Sequence, residues 1–270
     1  MFNNKDGCNQ KYASKVFKVN QSTISRILNK KCNIKYFKKI KAPNYSAKQL
    51  PRVISCSRKL ATKTLVNKIV ILDDEKYFSL SNSNTPGNDG YYTNNKSTAP
   101  EDIKYAKKNK FEKKVLVWLA ISTEGISEPY IHESNNAITA NVYINKCLKN
   151  NLIKFISEHH FNKEYIFWPD LAKAHYAKET LDWFKSKNIN LVPKEENPPN
   201  LPQSRPIENL WSILSSKVYE HGWKANSIKQ LKTRIKKKIK EISINELQSL
   251  LGSIRTKLRK IADNGPYSVI

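Results

Sequence analysis

Residues 165–184 read YIFWPDLAKAHYAKETLDWF. Tyr165–Trp168 is short, aromatic and β-branched, which is the composition of a buried strand. Pro169 stops it and Asp170 follows. From about His175 to Lys187 apolar residues then recur at helical spacing. A strand that presents a carboxylate at its C-terminal end and passes at once into an amphipathic helix is the unit of a sheet covered by helices. An acidic residue on a solvated turn is the plain alternative, and the choice depends on whether other carboxylates reach the same place.

The neighbouring segments extend the pattern in both directions. In KIVILDDEKYFSL (68–80), Ile69–Leu72 reads as a buried strand closing on Asp73, Asp74 and Glu75, so Asp74 is expected at a strand end. KKVLVWLAIST (113–123) and PYIHES (129–134) read as two more strands, and INLVP (189–193) as a fifth. Between strands, Ile144, Leu148, Leu152 and Phe155 stripe a helix, and another runs from Ile207 with Pro206 near its start. The segment 81–102 is rich in Gly, Asn, Ser and Pro and reads as a long insertion, a kind of loop that tends to be functional. Strands in a row, then helix, strand, helix, strand and helix make an α/β fold with a mixed sheet flanked by helices. Two basic helices close the chain, one striped by Ile228, Leu231, Ile235, Ile239 and Ile242. The other is striped by Leu247, Leu250, Ile254, Leu258 and Ile261 and opens on a Ser243/Glu246 capping box.

Charge separates the chain into three parts. The net charge of +25 favours a polyanion as partner, nucleic acid before an anionic membrane. Residues 1–68 hold 17 basic residues against one acid, 69–208 hold 18 of each, and 209–270 hold 13 against 4. A neutral middle between basic flanks reads as a working core held on a polyanion by its ends. In KYASKVFKVNQSTISRILNKK (11–31), Ala13, Val16 and Phe17 share one face and Ile24, Ile27 and Leu28 another, with Asn20 as N-cap between. That is a helix-turn-helix whose second helix would offer Gln21, Ser22, Ser25 and Arg26 to a major groove. Lys38, Lys39 and Lys41 open a basic stretch expected to touch phosphates. The expected domains are therefore 1–42 for the helix-turn-helix segment, 43–68 for a basic linker with a helix around Ser57–Asn67, 69–225 for the core and 226–270 for the basic helices.

Other classes find little support. The four cysteines lie too far apart for zinc-ligand spacing, and no apolar run approaches the ~20 residues that cross a bilayer. The start, MFNNKDGCNQK, carries no signal-peptide core. The expectation is an intracellular protein, nuclear in a eukaryotic host, without a membrane partner.

Asp74 and Asp170 end strands that can be neighbours, and Glu208 sits in the first turn of a helix that can cross those ends. Three converging carboxylates repel one another unless cations compensate them. Two divalent ions about 3.5–4 Å apart would do so while activating an attacking oxygen and stabilising a leaving one in phosphodiester chemistry. Hard oxygen donors select Mg²⁺ or Mn²⁺.

Three blocks, ILDDEKYF (71–78), FWPDLAKAHYAKETLDWF (167–184) and NPPNLPQSRPIENLWSIL (197–214), resemble the catalytic blocks of the Tc1/mariner family of DDE/D transposases. PIENLW at 206–211 is the most specific, and the 38-residue step from Asp170 to Glu208 lies within the family's range. The resemblance implies an RNase H-like core with Asp74, Asp170 and Glu208 as the catalytic, metal-binding set, Asp73 and Glu75 being bystanders. It also implies cut-and-paste chemistry on double-stranded DNA at terminal inverted repeats, strand transfer into target DNA, and a homodimer when active. The helix-turn-helix resembles the second of the two that relatives carry, the first being expected as missing. His175 resembles a histidine of the family block and is expected to pack or cap rather than to catalyse. A decayed or domesticated copy that binds DNA without cutting it is the alternative.

Overall fold

Residues 69–72 are four apolar side chains in a row, and a strand sends successive side chains to opposite faces, so both faces of this strand are covered over that run. The computed structural model describes residues 2, 9–37, 41–81, 90–105, 112–133 and 138–269. Contacts divide the chain into two compact units, 1–42 and 43–270.

In the larger unit, β1 (Ile69–Ser79) lies at the centre of a mixed sheet. It pairs antiparallel with β2 (Lys114–Ser122) and parallel with β5 (Tyr165–Trp168), while the short β3 (Gly125–Ile126) and β4 (Tyr130–His132) both pair with β2. Leu72, Phe78, Val117, Leu119, Ile166 and Trp168 face one core. That core is completed by α3 (Gln49–Lys59), α8 (Ile207–Val218), α9 (Ile228–Lys240), α10 (Ile244–Gly252) and α11 (Ile254–Asn264). Ile71, Trp118, Ala120 and Phe167 face the opposite core, under α7 (Lys178–Ser186) and one long helix. That helix starts as α5 (Ala140–Val142), widens to π geometry over Tyr143–Leu152 and ends as α6 (Ile153–His159). A four-residue helix, α4 (Glu101–Lys104), lies in the insertion, of which residues 82–89 fall outside the described residues.

Several expectations are corrected. β1 does not end at Asp74 but continues to Ser79, because β2 goes on pairing with it as far as Ser79↔Lys114. The fifth strand shrinks to a single parallel bridge, Phe167↔Leu191. Helix α7 starts at Lys178 rather than His175, whose N–H closes a turn on Ala172 O at 3.1 Å. The last helix breaks at Ser253 into α10 and α11. The helix expected around Ser57–Asn67 within the basic linker is present but starts earlier, at Gln49, and runs to Thr64. Helix α3 and its π-wound continuation Leu60–Thr64 bury Val53, Leu60, Ala61 and Leu65 in the core. Arg58 reaches α11, donating to Ala262 O at 2.9 Å. The basic side chains of this helix lie outside and mask the apolar stripe beneath them.

The small unit is two helices, α1 (Gln10–Phe17) and α2 (Gln21–Arg26), the second continuing through π turns to Lys31. Asn20 caps α2 as expected, its Oδ1 accepting from Ser22 N at 2.9 Å. Lys18 takes the left-handed turn between the helices at φ 52°, a conformation that favours glycine. Ala13, Ile24 and Leu28 form its core. Val16 and Phe17, expected on the buried face, are half exposed (48% and 55%), because two short helices cover only the side chains at their crossing.

Candidate active site

The parallel ladder between β1 and β5 ends at Leu72↔Trp168. Asp74 and Asp170 each stand two residues beyond that pair, so backbone register alone brings them to equivalent places at the same edge of the sheet. Strand alternation then separates the acids of the Asp73-Asp74-Glu75 run. Asp74 shares a face with Leu72, toward α8, while Asp73 and Glu75 share the opposite face with Ile71.

Asp74 is enclosed. Trp211 of α8 donates its indole N–H to Asp74 Oδ2 at 2.8 Å. Its carboxyl is pushed up to about 7, chiefly by burial; the Arg205 guanidinium opposes that shift and the Glu208 carboxylate adds to it. Asp73 has another fate. Fully buried, it accepts from Trp118 Nε1 at 3.0 Å and from Tyr143 OH at 2.6 Å, so it works as an internal hydrogen-bond acceptor. Burial raises its pKa, against the pull of His175.

Asp170 is more open, its side chain 39% exposed. Oδ1 accepts from Ala172 N at 2.9 Å and forms an ion pair with His175 Nδ1 at 2.6 Å. Burial would raise its pKa, but the His175 contact and the Ala172 N–H overcome that and hold it at about 2. His175 is buried, its Nε2 lies 3.6 Å from Glu75 Oε1, and its ring packs on Tyr143 at 4.3 Å. Burial opposes its protonation, yet the surrounding carboxylates raise its pKa well above the ordinary value. His175 therefore packs, as expected, and also ties the end of β5 to the far face of β1.

Glu208 lies exposed in the first turn of α8, three residues before Trp211 and hence on the same side of the helix. Its backbone N–H donates to Arg205 O at 3.1 Å. The Arg205 side chain is buried, donating to Asp73 O at 2.8 Å and to Trp168 O at 3.2 Å. Sequence reasoning misses Arg205, Trp211 and the Trp118–Tyr143 pair. A lone Arg before PIENLW and aromatic residues on core stripes carry no signal of polar work until the fold brings them to carboxylates.

The donors suit a hard divalent cation in kind. Asp74, half-buried beside a second carboxylate and pushed to about 7, needs positive charge nearby to ionise fully at neutral pH. Among the described residues, no three carboxylate, imidazole or thiolate side chains already stand together closely enough to grip an ion. In the small unit Gln21, Ser22 and Arg26 are exposed and Ser25 is half exposed, but Ser22 Oγ donates to Asn20 Oδ1 at 3.0 Å as part of the cap. Lys41 is exposed; Lys38 and Lys39 lie outside the described residues. No described helix is long and apolar enough to cross a membrane.

No protein-family model matches the chain. It is 32% identical to the Tc3 transposase of Caenorhabditis elegans over 194 residues, which are 71% of this chain and 55% of the relative. To the Tcb1 transposase of Caenorhabditis briggsae it is 22% identical over 129 residues, 48% of this chain and 45% of the relative. The chain thus spans about half the length of the curated relatives it matches. The Mos1 transposase paired-end complex with left transposon end matches 98% of this chain and 76% of its own, with a TM-score of 0.79 at 15% identity. The catalytic domain of Mos1 mariner transposase matches 84% of this chain and 98% of its own, with a TM-score of 0.61 at 13% identity. The structural likeness identifies the larger unit as an RNase H-like mixed sheet flanked by helices. Together with the sequence relatives, it shows that the chain belongs to the Tc1/mariner family of transposases.

Proposed function

We propose that the chain acts as a cut-and-paste DNA transposase, cleaving double-stranded DNA at the terminal inverted repeats of its element and joining the freed ends to target DNA. The observation that carries this reading is the pairing of Asp74 and Asp170 at equivalent positions past the β1–β5 ladder, with Glu208 one helical turn from the Trp211 that bonds Asp74. Relatives named as transposases, and solved structures of Mos1 with transposon ends, with Mg or Mn and as a strand transfer complex, support it.

Asp74, Asp170 and Glu208 would hold two Mg²⁺ or Mn²⁺ ions. When bound, such a pair activates a water or 3′-hydroxyl and stabilises the leaving oxygen of the phosphodiester. The chain's own residues prepare that place. Trp211 fixes one oxygen of Asp74. His175 and Ala172 N both engage Oδ1 of Asp170 and keep that carboxyl ionised, while Oδ2 remains for a ligand. Gln21, Ser25 and Arg26 would read bases in the major groove, with the Ser22 hydroxyl spent on the cap, and Lys38, Lys39 and Lys41 would meet phosphates. A homodimer holding two element ends, working in the nucleus, completes the proposal.

One observation favours a second reading, a DNA-binding protein that has lost cleavage: among the described residues the carboxylates are not gathered into a ready metal cluster. Both readings meet one test, incubation of DNA from both flanks of the gene with Mg²⁺ or Mn²⁺, comparing wild type with Asp170→Asn. Cleavage at a discrete end by wild type alone is the expected result. Equal cleavage by both proteins overturns the site, and binding without cleavage by both supports the second reading.

A further inference from the structure

Three separate segments must agree in position for the site to work: the strand carrying Asp74, the turn carrying Asp170 and the helix carrying Glu208. Arg205 touches all three. One guanidinium nitrogen donates to Asp73 O at 2.8 Å, on the residue before Asp74. The other donates to Trp168 O at 3.2 Å, two residues before Asp170. Its own carbonyl accepts the N–H of Glu208 at 3.1 Å. The guanidinium carbon sits 5.5 Å from the centroid of the Trp168 ring, and the residue is only 9% exposed, so the side chain is closely confined.

The place of these bonds matters. The parallel ladder stops at Leu72↔Trp168, and beyond it, among the described residues, no strand-to-strand pairing holds β1 and β5 at a set separation. The two carbonyls that Arg205 bridges lie at that point, one on each strand. A planar guanidinium holds its paired donors in a rigid fork that fixes the distance between two acceptors on neighbouring strands, a constraint that the freely rotating donors of a single ammonium do not impose. We infer that Arg205 is a positioning residue that sets the spacing of Asp74, Asp170 and Glu208 for cation binding, without itself touching the reacting atoms. The inference rests on the proposed metal-binding role of those carboxylates. Partners one layer behind metal ligands commonly change affinity by about 10- to 100-fold when removed.

The test is Mn²⁺ binding by the full chain without DNA, followed by the loss of the free-ion electron paramagnetic resonance signal. Wild type, Arg205→Lys, Arg205→Gln and Asp74→Asn are compared, with near-ultraviolet circular dichroism and a thermal melt to confirm folding. The expected result is binding by wild type, its loss in Asp74→Asn, and affinity weakened about 10-fold or more in both folded Arg205 variants. Arg205→Lys decides the matter if Arg205→Gln does not fold, since it retains the charge and loses only the rigid fork. Wild-type affinity in a folded Arg205 variant overturns the inference while leaving the metal site standing. Failure of both variants to fold also overturns it, because Arg205 would then serve folding alone. A wild type that binds no Mn²⁺, like Asp74→Asn, removes the metal-site reading and the inference with it.

Discussion

Asp74 and Asp170 occupy equivalent places just past the ladder that joins two neighbouring strands, yet one is pushed up to about 7 and the other held at about 2. On β1 the position is closed in by α8, where burial raises Asp74 most, Arg205 opposes and Glu208 adds to the rise. The β5 end opens into a turn that brings back His175, a buried imidazole at 2.6 Å whose contact, with the Ala172 N–H, outweighs the cost of burial for Asp170. Backbone register thus decides where each carboxylate stands, and the neighbouring side chains decide its charge. A site built this way starts with one proton-hungry and one firmly ionised carboxylate, so cation binding would displace protons chiefly from Asp74.

The widest test of that pairing is activity. Asp74→Asn and Asp170→Asn are each expected to lower DNA cleavage by about 10³-fold or more while DNA binding survives. A variant that still cleaves would break the equivalence of the two positions. Next is stability against pH in the metal-free chain, measured by urea unfolding. Asp74 binds its proton more tightly folded than unfolded, so its contribution favours the fold at low pH and declines as pH rises from about 4 through about 7. Asp74→Asn should flatten that decline, worth up to about 4 kcal/mol. Asp170 has the opposite sign: its contribution is present above the ordinary value of 3.8 and is lost as pH falls through about 2. Equal slopes in the two Asn variants would remove the contrast.

Smaller changes sharpen it. Trp211→Phe deletes the one indole donor to Asp74 and should cost about 1–3 kcal/mol, read as a lower unfolding midpoint together with a further rise in the Asp74 pKa. Asp73→Asn should have the least effect. The amide oxygen can still accept from Trp118 and Tyr143, so stability should stay within about 1 kcal/mol of wild type and cleavage should persist. Loss of cleavage in this variant would mean that the two faces of β1 are not functionally separate.

Much of this architecture is legible in the amino-acid sequence. Strand runs at 69–72, 113–123 and 165–168, the helical stripes of α8 and α9, and the caps Asn20 and Ser243 all depend on local chemistry and appear where expected, while the last stripe is shared between α10 and α11. The segment 43–68 reads as a linker because its charges are on the surface, while its burial depends on α11, some two hundred residues away. Strand β1 reads too short because Asp74, Glu75 and Lys76 look like a turn. Only the continuous pairing with β2 keeps them extended. Arg205 is hidden for a similar reason, since an arginine in a loop reads as solvated until two strand carbonyls are found in front of it.

The amino-acid sequence by itself determined the period of each element, the carboxylates available at strand and helix ends, the basic flanks and the family resemblance, because all of these depend on residues near one another along the chain. Which face of β1 each acid takes was left to the tertiary structure. So were the charge imposed on Asp74 by α8 and on Asp170 by His175, and the bridging of both strands by Arg205. These depend on groups far apart in sequence, and proton affinity and burial are properties of what surrounds a side chain after folding.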